Sequence, residues 1–448
     1  MRATLPAGPR TPVLLQTIGW WSRPTVYVER LRDRYGKRFT MRLLGQPPFV
    51  VLSDPDDLRE VFTAPPEVLH PGEGARLLEP IVGANSVILL DEGPHLEQRR
   101  LLLPAFHGER MQRLTGLMAE LTERELDGWA VDEPIALHPR LQALTMEIIL
   151  RAVFGLDEGA RLDRLRDKLT AILSFGDSPV SLLPQAQRLL SGRGRFGRFE
   201  RDRAVVDREL YALMEERRRD PGDRDDVLAM LLAATHADGS PMSDEEIRDE
   251  LLTALVAGHE TTASSLAFAF EQLARAPHVQ ERLAADADGR YLEVTINEVL
   301  RLRPVLPNAE PRLVKEEVTI GGHTYPPGAV LILAAALVHT DPDIYPEPHA
   351  FRPERFLDAK PGTYTWIPFG GGRRRCLGAS FALLEMRLVL RAAAERFTVH
   401  PAGPLKRTRR RMITITPGDG ARVRLARRPA GAMTPAAAAE RARDYSAA

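Results

Sequence analysis

The chain has 448 residues, 44% hydrophobic and 27% charged, which is enough apolar material to bury a large core. Lysine plus arginine (61) balance aspartate plus glutamate (61), so net charge argues for neither nucleic acid nor an anionic membrane as the main partner. The single cysteine excludes an intrachain disulfide and a cysteine-rich zinc site, and it suits a reducing cytoplasm.

The first 20 residues are punctuated by proline and lack the basic-then-apolar layout of a signal peptide. Residues 39–44 and 48–52 read as strands with Gly45 in the hairpin turn between them. From residue 96 to about 275, apolar side chains recur at helical spacing, with breaks at 176–184 and 220–225. Ser243 and Glu246 form a capping box for a long helix, and Pro277 follows its end. A further helix covers residues 295–303 and stops at Pro304. Residues 313–333 turn strand-like around Gly321 and Gly322, and a last long helix spans about 377–397. Beyond Met412 the segments ITI and ARVRL are expected to pair through a turn at 417–420.

The longest apolar runs, 251–258 and 330–338, fall far short of the ~18 residues that span a bilayer, so they read as core. A soluble, cytoplasmic protein without a membrane anchor is expected. Helices dominate and no βαβ alternation appears, so the fold class is mainly α with small β-sheets. Residues 1–428 read as a single catalytic domain, and 429–448 as a low-complexity, disordered tail.

The informative segment is FGGGRRRCLG, residues 369–378. Cys376 stands just before a helix, whose N-terminal N–H groups stabilise a thiolate. Gly370, Gly371, Gly372 and Gly378 would let the backbone pass close to a flat ring, and Arg374 could pair with a carboxylate in fork geometry. No Gly-Lys-Ser/Thr follows, so a phosphate-binding loop is excluded.

This segment resembles the haem loop of the cytochrome P450 family, Phe-x-x-Gly-x-Arg-x-Cys-x-Gly, with matches at Phe369, Gly372, Arg374, Cys376 and Gly378. The resemblance covers about residues 20–427 and identifies the chain as similar to soluble bacterial-type members. It implies the P450 fold, haem b with Cys376 as iron ligand, and a thiolate that favours O–O cleavage.

In the long helix, Ala257-Gly258-His259-Glu260-Thr261-Thr262 resembles the family's oxygen-activating motif. The resemblance implies that Thr261 hydrogen-bonds the activated oxygen and that Glu260 relays protons. Glycine beside hydroxyls that compete for carbonyls is expected to open the helix ladder locally. His259 occupies a variable position and reads as a solvated or packing residue.

Glu298 and Arg301, one helical turn apart, with Arg355 of the Pro-Glu-Arg-Phe segment, resemble the family's structural Glu–Arg–Arg cluster. Other Glu-x-x-Arg pairs (97/100, 200/203, 215/218, 245/248) read as solvated faces. By the same resemblance His95, Arg99 and Arg312 hold the haem propionates. One departure is Val338-His339-Thr340-Asp341-Pro342, where many soluble bacterial relatives carry Asn-Arg-Asp.

Family analogy lines the substrate pocket with Leu77, Leu78, Ile81, Val82, Leu252, Leu255, Val256, Ala257, residues 305–309 and Met412. These are apolar or small, so a small hydrophobic substrate is expected. No electron-transfer module fits the remaining sequence. Electrons would therefore come from a separate ferredoxin and ferredoxin reductase docking beside Arg373 and Arg375, to a monomer using O2. The basic, aromatic stretch 193–199 reads as a helix start, not a nucleic-acid site, and 406–411 as an exposed edge.

The expected function is a haem-thiolate mono-oxygenase that hydroxylates or epoxidises a hydrophobic compound. The alternatives are a peroxide-using peroxygenase or isomerase, and a non-catalytic haem sensor.

Overall fold

The computed structural model describes residues 5–106, 109–175, 192–411 and 413–429. Helices α1 (Val13–Ser22) and α2 (Pro24–Tyr35) precede the hairpin β1 (Arg38–Met41) and β2 (Phe49–Leu52). Helix α3 (Pro55–Thr63) starts where Asp54 accepts the Asp56 N–H at 3.0 Å and Pro55 fills the first turn. Strand β3 (Leu69–His70) leads towards α4 (Glu92–Leu102) and α5 (Glu109–Asp127). After β4 (Pro134–Ala136) come α6 (Leu137–Ala152), α7 (Ala160–Phe175) and α8 (Gly194–Arg219).

Helix α9 (Asp244–Leu273) runs through the middle of the molecule. Its capping box forms as the sequence predicts. Ser243 Oγ accepts the Glu246 N–H at 3.2 Å and Glu246 returns a carboxylate to the Ser243 N–H at 2.8 Å. Helix α10 (Arg290–Leu302) ends before Pro304, and α11 (Ala379–Arg396) follows the cysteine loop.

Strands β5 (Arg312–Val314) and β8 (Val330–Leu333) join the first three in one sheet ordered β1-β2-β8-β5-β3. Strand β8 lies parallel to β2, with Val50 opposite Leu331, and all four of its residues are buried, as a strand covered on both faces requires. Strands β6 (Val318–Ile320) and β7 (His323–Tyr325) form a hairpin through Gly321 and Gly322, both at positive φ.

The expected pairing of the last two strands is wrong. Strand β11 (Thr414–Thr416) pairs instead with β10 (Arg409–Arg411), while β12 (Arg422–Arg427) lies between β4 and β9 (Phe397–Pro401). Alternation marks a strand but not its partner, and here the closing contacts come from segments missed in the sequence. The break at 176–184, Met412 and the tail beyond 429 lie outside the described residues.

The helical core is dense around α9. Trp129 meets Phe270 edge-on at 5.5 Å and stacks on Phe397 at 6.0 Å. Helix α9 packs most extensively along α6, and a Cβ at Gly258 would lie 3.0 Å from Ile149 Cδ1. Close helix contact therefore explains this glycine. The expected opening of the ladder is absent: α9 is helical throughout, because Thr261 Oγ1 donates to the Ala257 carbonyl at 2.5 Å without interrupting the helix.

Candidate active site

Cys376 sits three residues before α11, and its N–H donates to the Phe369 carbonyl at 2.9 Å. This bond closes the loop, and Phe369 anchors it by packing edge-on against Trp366 at 6.1 Å. Gly370 and Gly372 take positive φ. A Cβ on Gly371 would stand 2.8 Å from the Phe62 ring, and one on Gly372 2.3 Å from the Phe62 carbonyl oxygen. These two glycines therefore serve the contact with α3, not the approach of a ring as the sequence suggested.

Gly378 differs. Its φ of −84° demands no glycine, and apart from its immediate neighbours in the chain nothing lies within 4 Å of where its Cβ would be. Cys376 is solvent-exposed, yet the atoms crowded around it raise its thiol pKa by desolvation. The Gly378 N–H, Arg99 and Arg375 oppose that rise by favouring the thiolate. The donor set fits a soft, positively charged metal in a flat ligand beside Gly378.

Four cationic or neutral donors gather nearby. His95 is buried on α4, and burial together with Arg374, Arg99 and Arg312 pushes it down to about 3, so it is neutral at pH 7. Arg99 has no ion-pair partner among the described residues, and burial lowers its pKa while Arg374 and Arg375 repel it. Arg374 is engaged by Asp91 at 2.7 Å and by the carbonyls of Val87 and Leu90. Arg312 is held by the Glu310 carbonyl at 2.5 Å and carboxylate at 3.4 Å. His95, Arg312 and Arg374 line one cavity with Phe62, Asp91 and Gly371. Asp91 carried no sequence signal, because it lies 283 positions from Arg374, whereas Glu310 stands two positions from Arg312. Crowded cations with Arg99 unpaired fit the carboxylates of a dianionic ring.

On α9, Ala257 is exposed and Thr261 lies one turn further on the same face, while Glu260 turns towards α6 and β10. There it is held by four donors. Gln142 Nε2 donates at 2.7 Å and Ser264 Oγ at 3.1 Å, while Arg411 Nη1 stands at 3.2 Å and His138 Nε2 at 3.3 Å. Burial would raise its pKa, but His138 and Arg411 outweigh that and hold it below the ordinary range. The sequence placed Arg411 on an exposed edge. Strand β10 is such an edge, but this arginine turns inward to the carboxylate. His259 is the packing residue of the two readings: it is buried, and burial lowers it to about 4.

The structural cluster forms as expected. Arg301 and Glu298 are fully buried, joined at 2.7 and 2.9 Å, and Arg355 reaches Glu298 at 3.1 Å. Arg301 also donates to the His339 carbonyl at 2.6 Å, and His339 Nε2 accepts the Ile367 N–H at 2.8 Å. The departure at His339 thus ties the cluster to the cysteine loop two residues before Phe369. Not every other Glu-x-x-Arg arginine is solvated, however. Arg248 bridges Asp207 on α8, and Arg203 donates to the Pro80 carbonyl.

Of the expected pocket lining, Leu78, Ile81, Val82, Leu252 and Leu255 are packed in core clusters, and Leu77 is exposed. Ala257 and Thr261 share the open face of α9, whereas Leu252 and Leu255 fall on its packed face by helical periodicity.

Comparison with known proteins adds a line independent of this geometry. A family model described as Cytochrome P450 matches residues 6–421. A Mycobacterium tuberculosis protein named cytochrome P450 138 is 39% identical over 430 residues, covering 95% of this chain and 97% of the relative. Another from the same organism, named cytochrome P450 135B1, is 37% identical over 435 residues, covering 94% and 91%. Among solved structures, a retinoic acid-bound cyanobacterial CYP120A1 aligns with a TM-score of 0.80 at 25% identity, covering 95% of this chain and all of that one. A further P450, CYP102L1, aligns with a TM-score of 0.76 at 26% identity, covering 91% and 98%.

Proposed function

The chain belongs to the cytochrome P450 family, whose members act generally as haem-thiolate mono-oxygenases, and from that premise we propose that it inserts one oxygen atom of O2 into a small hydrophobic substrate by hydroxylation or epoxidation. Haem b, held by the Cys376 sulfur, would supply oxygen activation, with thiolate electron density favouring O–O cleavage. His95, Arg99 and Arg312 would hold the propionates, with Arg374 shared between a propionate and Asp91. Phe369 and Gly378 shape the loop around the sulfur.

The observation that carries the reading is the split between Thr261 and Glu260. The hydroxyl lies on the open face of α9, and the adjacent carboxylate is kept ionised by His138 and Arg411 on the far side. An ionised acid next to an alcohol can pass protons inward one at a time, which O2-dependent chemistry needs and peroxide-dependent chemistry does not. The pair therefore favours the mono-oxygenase over a peroxygenase or a sensor. Residues 1–428 would act as one catalytic unit, with electrons from a separate ferredoxin and its reductase docking at Arg373 and Arg375. The retinoic acid-bound structure of the cyanobacterial CYP120A1 is consistent with an apolar substrate class.

Thr261→Ala in the haem-loaded enzyme tests this reading. Electron consumption should continue while product formation falls about tenfold or more. Unchanged coupling would mean that another group delivers the protons.

A further inference from the structure

Helix α1 buries Trp20 in the core, but beside it buries a polar side chain and leaves an apolar row exposed. Its polar Gln16 is 2% exposed, with the amide donating to the Pro9 and Thr11 carbonyls and Oε1 accepting the Arg42 N–H at 2.9 Å. Leu14, Leu15 and Ile18 are instead 57%, 55% and 51% exposed. The β1–β2 turn adds Leu44, the most exposed of the large apolar residues among those described, tied to the helix by its N–H donating to Thr17 Oγ1 at 2.9 Å. Single exposed aliphatic side chains are ordinary, but four on one hydrogen-bonded unit are not.

Strand β10 brings an arginine to the same helix. The Arg410 guanidinium lies 4.8 Å from the Trp21 ring centre and 5.5 Å from that of Trp20. The flanking charges are of one sign. No acidic residue occurs before Glu29, and none lies between Glu395 and Asp419. Arg10, Arg23, Arg42, Lys406, Arg407 and Arg409 are all exposed, and none has an ion-pair partner among the described residues.

We propose that this face docks peripherally on an anionic lipid surface, with Leu14, Leu15, Ile18 and Leu44 entering the headgroup layer and the unpaired cations contacting lipid phosphates. Exposed aliphatic side chains flanked by flexible cations need no shaped counterpart, and a fluid, negatively charged headgroup layer offers that environment. The zero net charge conceals this segregation, because the balancing acids lie elsewhere in the chain.

The haem-loaded full chain, sedimented with phosphatidylglycerol-rich vesicles and with pure phosphatidylcholine vesicles, tests the proposal. Binding is expected to the anionic vesicles only, and to weaken about tenfold between low and high salt. Leu14→Glu/Ile18→Glu and, separately, Lys406→Glu/Arg407→Glu should each weaken it about tenfold, with an unchanged carbonyl spectrum showing that the fold is intact. The proposal is overturned by failure to bind anionic vesicles, by equal binding to both vesicle types, or by binding that survives both variants. It is also overturned if the apolar variant abolishes self-association in vesicle-free solution while vesicle binding stays absent, which would assign the face to a second copy of the chain.

Discussion

Glu260 owes its charge state to neighbours far away in sequence, His138 by 122 positions and Arg411 by 151. Because Arg411 lowers the Glu260 pKa, Arg411→Gln should raise it and move the acidic limb of the pH–rate profile upward, with little change in substrate affinity. A profile identical to that of the parent enzyme would remove the carboxylate from the proton path. The residues that carry chemistry were legible where chemistry is local. Cys376, Phe369 and Gly378 stand within ten positions, and Glu260 and Thr261 are adjacent. Asp91, His138 and Arg411 were not legible, since a partner brought in by folding leaves no spacing to read.

Elements were readable at their ends more than in their contacts. The Ser243–Glu246 box sets the start of α9, and Ser243→Ala should cost about 1 kcal/mol in denaturant unfolding while leaving turnover intact, because the cap is remote from the open face. An unchanged unfolding midpoint would show that tertiary packing alone fixes this end. Gly258 was read as a site of helix opening, but Ile149 is what limits it. Gly258→Leu should therefore cost about 1–3 kcal/mol through overpacking against α6. The last strands show the same limit from another side. Their alternating pattern was recognised, but β9, β4 and β10, which pair with them, are short or rich in arginine and proline.

At the scale of the whole molecule, buried ionisable groups divide the pH response. His95 and His339 are lowered to about 3 by burial, so the unfolded chain takes up protons first as pH falls below 6.5, and stability is lost from there towards 3. Glu385, fully buried with both carboxylate oxygens unpartnered, is raised to about 8 by burial. Its contribution is complete below 4.5 and is lost as pH rises towards 8. Burial also raises Glu250 to about 8 and Glu271 to about 7, so Glu385→Gln should make that alkaline limb shallower in urea unfolding and leave the acidic limb in place, whereas parallel curves would show that the carboxyl finds a partner. Glu298→Gln should destabilise the fold for a different reason, the loss of an ion pair. It strips Arg301 and Arg355 of their shared carboxylate, at about 3–5 kcal/mol, and loosens the loop beneath the haem.

The proposed function presupposes that the loop at 369–378 presents sulfur to iron. The reduced, haem-loaded protein should therefore show the strongly red-shifted carbonyl band of a thiolate-ligated haem, and Cys376→His should move that band to the position of histidine-ligated haem. A parent spectrum already at the histidine position, or one left unchanged by the substitution, would contradict the account.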